Sequence, residues 1–222
     1  MFIRPLLFCG LFCFSLNALA QDQTAMQIVQ NVQSSLVEVR AVSTKTFATG
    51  TATYHSQGSG VILDSYGTIV TNTHIIANAP HIYVGLSDGT ILEAQIVHSS
   101  DADFSFIKVT PPYPLTPIIW ADSSQAQIGT PIVTLSNDNG DQEHVLSGAI
   151  TDVINNVDTN NVDAFELNLN LFHGDSGGPV LDDEGRLLGI IMGKKLSEDN
   201  KSYAISSSKI QQEYQDYQQN LK

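Results

Sequence analysis

Residues 171–179 have the sequence LFHGDSGGP. Two glycines follow Ser176 directly. Glycine is a poor residue for extending a strand or a helix, because it loses the most backbone freedom on folding and has no side chain to pack. We therefore interpret Ser176 as a residue whose role requires neighbouring residues without side chains.

A serine that acts as a nucleophile needs a base to accept its proton and a third group to orient that base. Among the six histidines, His74 is the candidate base, because TNTH (residues 71–74) ends a predicted strand and continues into two isoleucines. That position would fix an imidazole at a strand terminus. The remaining histidines, at positions 55, 81, 98, 144 and 173, are interpreted as surface or rim residues.

Asp103 is the candidate for the third group, since it stands at the start of the apolar run FSFIKV, residues 104–109. A carboxylate that enters a buried strand needs a partner, and an imidazole would serve. Asp101 is the alternative acid. Either residue could instead cap its own backbone in a turn.

The rest of the chain has the sequence pattern of a β protein: about a dozen short apolar runs alternate with turn signals such as SDG and DDEG. No helices of the βαβ kind alternate with these runs, so the pattern favours antiparallel barrels or a sandwich. Prolines between residues 111 and 117 cannot serve central strands. They predict a boundary between two subdomains, residues 36–115 and 116–209.

Short helices are predicted at both ends of this β region. Apolar residues follow a helical spacing within the segment 21–35, at Met26, Ile28, Val29 and Val32. The segment 210–222 has a second apolar face made of Ile210, Tyr214, Tyr217 and Leu221. This last segment is expected to form a closing helix.

Residues 1–20 have the features of a secretory signal: one cation, Arg4, then an apolar run and the small-residue pattern ALA that ends at Ala20. We expect cleavage after Ala20. A membrane anchor is the alternative, but an anchor needs about 18 to 20 continuous apolar residues, and Ser15 interrupts this shorter run. Localisation is therefore expected to be periplasmic or secreted, with no membrane insertion after signal removal.

The charge and cysteine content limit the partners and the chemistry. The formal net charge is −13, which disfavours nucleic acid and anionic membranes as partners. Both cysteines, Cys9 and Cys13, lie within the predicted signal, so the exported chain would have no disulfide or thiol chemistry. No cofactor and no metal is expected.

Three blocks of the sequence together resemble the signatures of the trypsin-like serine peptidases. They are GSGVILD with TNTH (58–64 and 71–74), DFSFIKV (103–109) and GDSGGPV (174–180). The spacing is most similar to the HtrA/DegP branch, a bacterial envelope quality-control group, over roughly residues 26–208. The chain order His, Asp, Ser agrees with the chymotrypsin arrangement and differs from the subtilisin and α/β-hydrolase orders.

The resemblance implies an all-β fold of two perpendicular six-stranded antiparallel barrels, with the active site in the crevice between them. It implies an exported serine endopeptidase that acts on polypeptides, with Ser176 as nucleophile, His74 as base and Asp103 as the residue that orients His74. The backbone N–H groups of Gly174 and Ser176 would form the oxyanion hole. A PDZ domain normally follows in this branch, but the chain ends at Lys222, so none is expected, and the oligomeric state stays open.

Two departures concern the serine loop. Asp175 stands where the HtrA branch usually has asparagine, and the sequence shows no activation junction that would supply a partner for it; local hydrogen bonding within the loop is the alternative. Asn170 stands where selectivity for cations would require a carboxylate, and by analogy Leu171 would close a pocket for a small or medium aliphatic residue. With His173, these two are the predicted substrate-binding residues.

A non-catalytic binding or chaperone-like module on the same fold is the main alternative function, since a fold alone does not prove an activity. An esterase is a second alternative, and it differs only in substrate.

Overall fold

The computed structural model describes residues 24–47, 50–138, 142–155, 162–172, 174–194 and 201–221. The predicted secretory signal, residues 1–20, lies outside these ranges. Twelve strands form two closed barrels, each with six antiparallel strands. The predicted double-barrel architecture with short terminal helices is therefore confirmed.

The first barrel has the strand order β1-β2-β3-β6-β5-β4. Its strands are β1 Leu36–Phe47, β2 Gly50–Ile62, β3 Thr68–Thr71, β4 His81–Gly85, β5 Ile91–Ser99 and β6 Ser105–Lys108. Alternate residues of β1 point inward and are buried, as expected for a half-buried strand: Val37, Val39 and Ala41. Their neighbours point to the outside of the barrel.

The second barrel has the order β10-β11-β12-β9-β8-β7. Its strands are β7 Pro131–Asp138, β8 Gln142–Asn155, β9 Val162–Leu167, β10 Pro179–Leu181, β11 Leu187–Lys194 and β12 Ser202–Ser206. The proline-containing segment leads from one barrel to the other. It is held to the first barrel by hydrogen bonds from the Leu115 and Ile118 amides to the Ser65 and Ile62 carbonyls, at 3.0 and 2.9 Å.

Besides the interior of each barrel, a separate apolar cluster lies where the two barrels and the terminal helices meet. Phe104 and Phe106 of the first barrel and Leu181 and Ile190 of the second belong to it, and all four are fully buried. Burying one such side chain contributes about 1.5–3 kcal/mol, so this cluster holds the walls of the intervening cleft in a fixed relation.

Helix α1 covers residues 24–32 and is followed by a 3-10 turn, Gln33–Ser35. Ala25, Ile28 and Val29 are buried against the core, but Met26 is 54% exposed, so its predicted place on the buried face was wrong. The packed face of α1 therefore includes Ala25 in place of Met26.

Helix α3, Ser207–Gln219, begins with a cap in which the Ser206 hydroxyl accepts from the Lys209 amide at 3.2 Å. Ile210 and Tyr214 are buried as predicted, whereas Leu221 lies beyond the helix end and is 68% exposed. Within the ranges that the structure describes, no helix has the length and apolar character needed to cross a bilayer.

Helix α3 follows the second barrel in the chain but is fastened to the first. The Tyr214 hydroxyl donates to Asp64 Oδ2 at 2.8 Å, and Glu213 accepts from Ser100 and pairs with His98, both at 2.8 Å. His98 also stacks on Phe106 and its side chain is 31% exposed, so this residue, which the sequence placed at the surface or rim, has a structural role there. These contacts tie the two barrels together at one end of their interface.

The pKa of the Asp64 carboxyl is lowered from its ordinary range. Partial burial acts to raise this pKa, but hydrogen bonds from Thr68 and Tyr214 and the nearby Lys108 ammonium together outweigh that effect. A folded pKa below the unfolded one means that the charged carboxylate stabilises the fold at neutral pH.

We therefore expect Asp64→Asn to lower the free energy of unfolding at about pH 7 and to matter less in acid. The stabilisation by Asp64 is fully present above its unfolded pKa of about 4 and is lost as the pH falls through the lowered folded pKa. Urea titrations of both proteins at neutral pH and at about pH 3 measure this. A difference that stays the same at both pH values would contradict the assignment.

Candidate active site

A cleft of about 1060 Å³ lies between the two barrels, and both barrels supply its walls. The first barrel contributes His74 and Ile75 and part of the β1–β2 hairpin. The second contributes residues 171, 172 and 174–176 and the end of β11, residues 191–193. The cleft therefore contains two of the three predicted catalytic side chains, His74 and Ser176.

His74 lies in the short helix α2, Thr73–Ile76, which begins directly after β3. Its Nδ1 atom is 2.7 Å from Asp103 Oδ2, and its backbone N–H donates to Asp103 Oδ1 at 3.0 Å. One carboxylate thus holds both the ring and the backbone of the same histidine. The imidazole side chain is 48% exposed, so its other edge is open to the cleft.

Asp103 is in turn held by its neighbours. Its carbonyl oxygen accepts from the Thr73 amide at 3.2 Å and from Asn72 Nδ2 at 3.0 Å. Its backbone has φ 61°, a left-handed conformation that aspartate tolerates better than most residues. Asp103 therefore joins the loop before β6 to the start of α2, and the pairing with His74 follows from this local geometry.

Ser176 stands on a turn whose backbone is bonded to both barrels. Its carbonyl oxygen accepts from the Ser59 amide of β2 at 2.8 Å, and the Gly177 amide donates to the Ile191 carbonyl of β11 at 2.9 Å. The Ser59 hydroxyl also donates to the Gly174 carbonyl at 3.2 Å. This close approach of three backbone segments is the reason that the loop requires residues without side chains.

Gly177 is the position where this requirement is strictest, because its φ is +80° and a Cβ would lie 2.1 Å from the Ser59 carbonyl oxygen. We expect Gly177→Ala to lower the free energy of unfolding by at least about 3 kcal/mol and to abolish activity. Gly89 is a matched control, since its φ is +86° and nothing lies within 4 Å of the added Cβ. Gly89→Ala should cost only about 1 kcal/mol.

Urea denaturation of the two variants separates backbone strain, which both share, from the clash, which only Gly177→Ala has. Equal losses in the two variants would show that the loop can move away from Ser59, contrary to the close packing of Gly177 against the Ser59 carbonyl.

Ser176 and His74 share the cleft, but among the described residues no hydrogen bond joins the Ser176 hydroxyl to the His74 ring. Hydrogen bonds between catalytic groups are often long in unliganded enzymes and tighten in the substrate complex. The structure thus brings His74 and Asp103 into direct contact and places Ser176 nearby. The three catalytic roles remain predictions.

The predicted oxyanion hole involves the amides of Gly174 and Ser176. Within the part of the chain that the structure describes, neither N–H donates to an acceptor, and Gly174 has φ +108°. The assignment of these two amides to an oxyanion hole stays a prediction.

Asp175, for which the sequence offered no partner, is 1% exposed in the wall of the cleft. Its carboxylate accepts from the Phe172 amide at 2.7 Å, and its own amide donates back to the Phe172 carbonyl at 3.4 Å. The alternative of local hydrogen bonding describes these contacts. Asp175 thus holds the loop that precedes Ser176 through Phe172.

The predicted substrate-binding residues have different positions. Leu171 is 8% exposed and lines the cleft, whereas Asn170 is exposed and is not among the lining residues. His173 lies outside the described residues. Sequence reasoning missed Phe172, which is 51% exposed at the cleft, and Arg40 on the opposite wall. The alternation of β1 could have shown that Arg40 points out of its barrel.

Comparisons with known proteins agree with this architecture. Residues 58–190 match the family model described as trypsin-like peptidase domain. The periplasmic serine endoprotease DegP of Escherichia coli (strain K12) is 35% identical over 137 residues, which are 60% of this chain and 29% of that protein. Serine protease HTRA4 of Mus musculus is 30% identical over 168 residues, or 73% of this chain and 34% of that protein.

A solved structure of an HtrA-type protease with a decapeptide has a TM-score of 0.73 and 22% identity, and the match covers 83% of this chain and 63% of that one. This likeness shows the fold. The matched regions span about a third of the two curated relatives' own length, 29% and 34%. On the family match and these relatives, the chain belongs to the trypsin-like peptidase domain family, and the relatives that it resembles within that family are HtrA and DegP proteases.

Proposed function

We propose that this chain is an exported serine endopeptidase in which Ser176, His74 and Asp103 carry out catalysis. The observation that carries the proposal is the double contact of Asp103 with His74, to the ring Nδ1 at 2.7 Å and to the backbone N–H at 3.0 Å, in the cleft that Ser176 lines. A carboxylate on Nδ1 fixes the tautomer whose Nε2 lone pair can accept a proton.

In the proposed reaction Ser176 Oγ attacks the carbonyl carbon of a peptide bond while His74 Nε2 accepts the hydroxyl proton. The oxygen that becomes negative receives hydrogen bonds from the amides of Gly174 and Ser176, and losing one such donor typically costs about 100- to 1000-fold in rate. His74 then donates the proton to the leaving amine. Water repeats the sequence on the acyl-serine ester and restores the hydroxyl.

The walls of the cleft support a polypeptide substrate with an apolar residue next to the scissile bond. Leu171, Phe172 and Met192 line it beside Ser176, with no carboxylate exposed among the described lining residues. Cleavage after small or medium aliphatic residues is therefore expected. A peptide-library profile dominated by cleavage after lysine or arginine would contradict this assignment.

The names of the relatives support the proposed location and role. DegP of Escherichia coli is named a periplasmic serine endoprotease, and residues 1–20 of this chain have the pattern of an export signal. We propose a periplasmic or secreted enzyme that degrades or processes other proteins in the manner of the HtrA group.

One observation favours a second candidate, a binding or chaperone-like module. No hydrogen bond joins Ser176 to His74 among the described residues, as would be found in a cleft that holds peptides without cleaving them. Labelling with a fluorophosphonate decides between the two candidates, because the reagent reacts only with an activated serine.

We expect one label per chain, attached to Ser176 as shown by peptide mapping with mass spectrometry. Heat-unfolded protein is the control and should stay unlabelled. A folded sample that acquires no label, or that is labelled on another serine, would support the binding module. Parallel turnover of casein and of short esters then separates a peptidase from an esterase.

A further inference from the structure

The side chains that line the cleft differ in charge from the chain as a whole. The formal net charge of the sequence is −13, yet the titratable residues that line the cleft are Arg40, His55, His74 and Asp175. Asp175 is 1% exposed and is engaged with the Phe172 amide. Among the described lining residues, the titratable side chains that a substrate can reach are thus all basic ones.

Arg40 is fixed on the outer face of β1, with one edge of its guanidinium engaged and the other available. Its Nε donates to Glu38 Oε1 at 2.6 Å, and its side chain is 54% exposed. Within the described part of the chain its two Nη groups donate to no acceptor. A guanidinium held by one edge presents a planar pair of donors, which matches the two oxygens of a carboxylate.

The strand register places Arg40 close to Ser176. Arg40 pairs with Gln57 of β2, and Gln57 is two residues before Ser59, whose amide contacts the Ser176 carbonyl at 2.8 Å. At a rise of about 3.3 Å per residue, this separation is about 7 Å along the strand. An extended substrate covers the same distance in two or three residues. His55 belongs to the same outer face, because it pairs with Val42 in the same register.

We propose that Arg40, with His55 beside it, forms a subsite for an acidic side chain of the substrate, two or three residues from the scissile bond. This inference rests on the proposed peptidase function and adds a substrate class to it. Glu38 orients Arg40 and also neutralises part of its charge, so the preference for an acidic residue is moderate. Arg40 lies on the wall opposite Leu171 and Phe172. One bound peptide can therefore present an apolar residue to one wall and an acidic residue to the other.

The test compares peptide pairs that differ only in Glu or Gln, with the exchanged residue placed in turn at each of the three positions on either side of an aliphatic cleavage site. At one position the wild-type protein should cleave the Glu peptide with a kcat/KM about five- to tenfold higher than the Gln peptide at low ionic strength. Arg40→Gln should reduce this ratio to about 1. Glu38→Gln, which removes the competing carboxylate, should raise the ratio above the wild-type value.

Arg186→Gln is the matched control. Arg186 also donates through Nε to a carboxylate, Asp182 Oδ2, at 2.8 Å and is 40% exposed, but it does not line the cleft. Arg186→Gln removes the same charge as Arg40→Gln and should leave the ratio of kcat/KM for the Glu and Gln peptides at the wild-type value. That result would exclude an effect of net charge alone.

Equal cleavage of the Glu and Gln peptides at every position would overturn the subsite, as would a preference that survives Arg40→Gln. Either result, with casein digestion and Ser176 labelling intact, leaves the proposed peptidase function standing. Loss of labelling and of all cleavage in the wild-type protein would overturn both.

Discussion

Replacing Ser176 by alanine is expected to lower kcat for casein by at least about 10⁴-fold and toward about 10⁶-fold. The variant keeps the cleft, the His74–Asp103 pair and the two amides of the proposed oxyanion hole, and it lacks only the oxygen that would form the acyl ester. The fold should be unaffected, because the described contacts of Ser176 with β2 use its backbone carbonyl. Digestion assays together with thermal melting measure the two effects separately.

Ser147→Ala is a suitable control for this experiment, since Ser147 is an exposed residue of β8 that does not line the cleft. It should digest casein at the wild-type rate. A Ser176→Ala protein that retains more than about a tenth of wild-type activity would assign the activity to another residue or to a contaminant.

Asp103→Asn is expected to lower kcat by about 10⁴-fold with little change in fold. Asparagine accepts the left-handed backbone at φ 61°, and its amide oxygen can still accept from the His74 backbone N–H. Its NH₂ group would then face His74 Nδ1, so the ring would carry its proton on Nε2. That tautomer cannot accept the proton of Ser176.

Asp101→Asn is the matched control, because Asp101 was the rival acid in the sequence and is exposed in the turn before Asp103. It should keep nearly full activity. Equal losses in Asp101→Asn and Asp103→Asn, or full activity in Asp103→Asn, would contradict the role given to Asp103. Steady-state kinetics on one peptide at several pH values measures all three proteins.

The motifs around Ser176 and His74 could be recognised in the sequence because each reflects what the local backbone requires. Ser176 is flanked by glycines because its loop touches β2 and β11, and His74 follows β3 in a four-residue helix. The short apolar runs and the turn signals between them predicted antiparallel barrels or a sandwich, and the resemblance to the trypsin-like peptidases implied that there would be two six-stranded barrels. In each case the sequence pattern lies within a short motif, even where the contact that requires it comes from a distant segment, as with Ser59 and the Ser176 carbonyl.

Features that depend on pairing between distant segments could not be predicted in this way. The place of Arg40 beside the cleft depends on the register of β1 with β2. The contact of Asp175 with the Phe172 amide is local, by contrast, and agrees with the hydrogen bonding within the loop that the sequence left open.

Helical spacing suggested buried positions for Met26 and Leu221, yet both are exposed. The helical period predicts which side of a helix is buried, but it does not predict how far the buried surface extends around or along the helix. The surface that α1 covers includes Gly185 near Val32 and Ile28, and α3 ends before Leu221.

The central claim is that His74 and Asp103 activate Ser176 in one cleft, and its most direct test is a crystal structure of the protein with a peptide boronic acid. We expect boron bonded to Ser176 Oγ, His74 Nε2 within about 3.2 Å of a boronate or serine oxygen, and one boronate oxygen within about 3.1 Å of the Gly174 and Ser176 amides. A boronate bound elsewhere, or bound to Ser176 with His74 beyond hydrogen-bonding distance, would contradict the account.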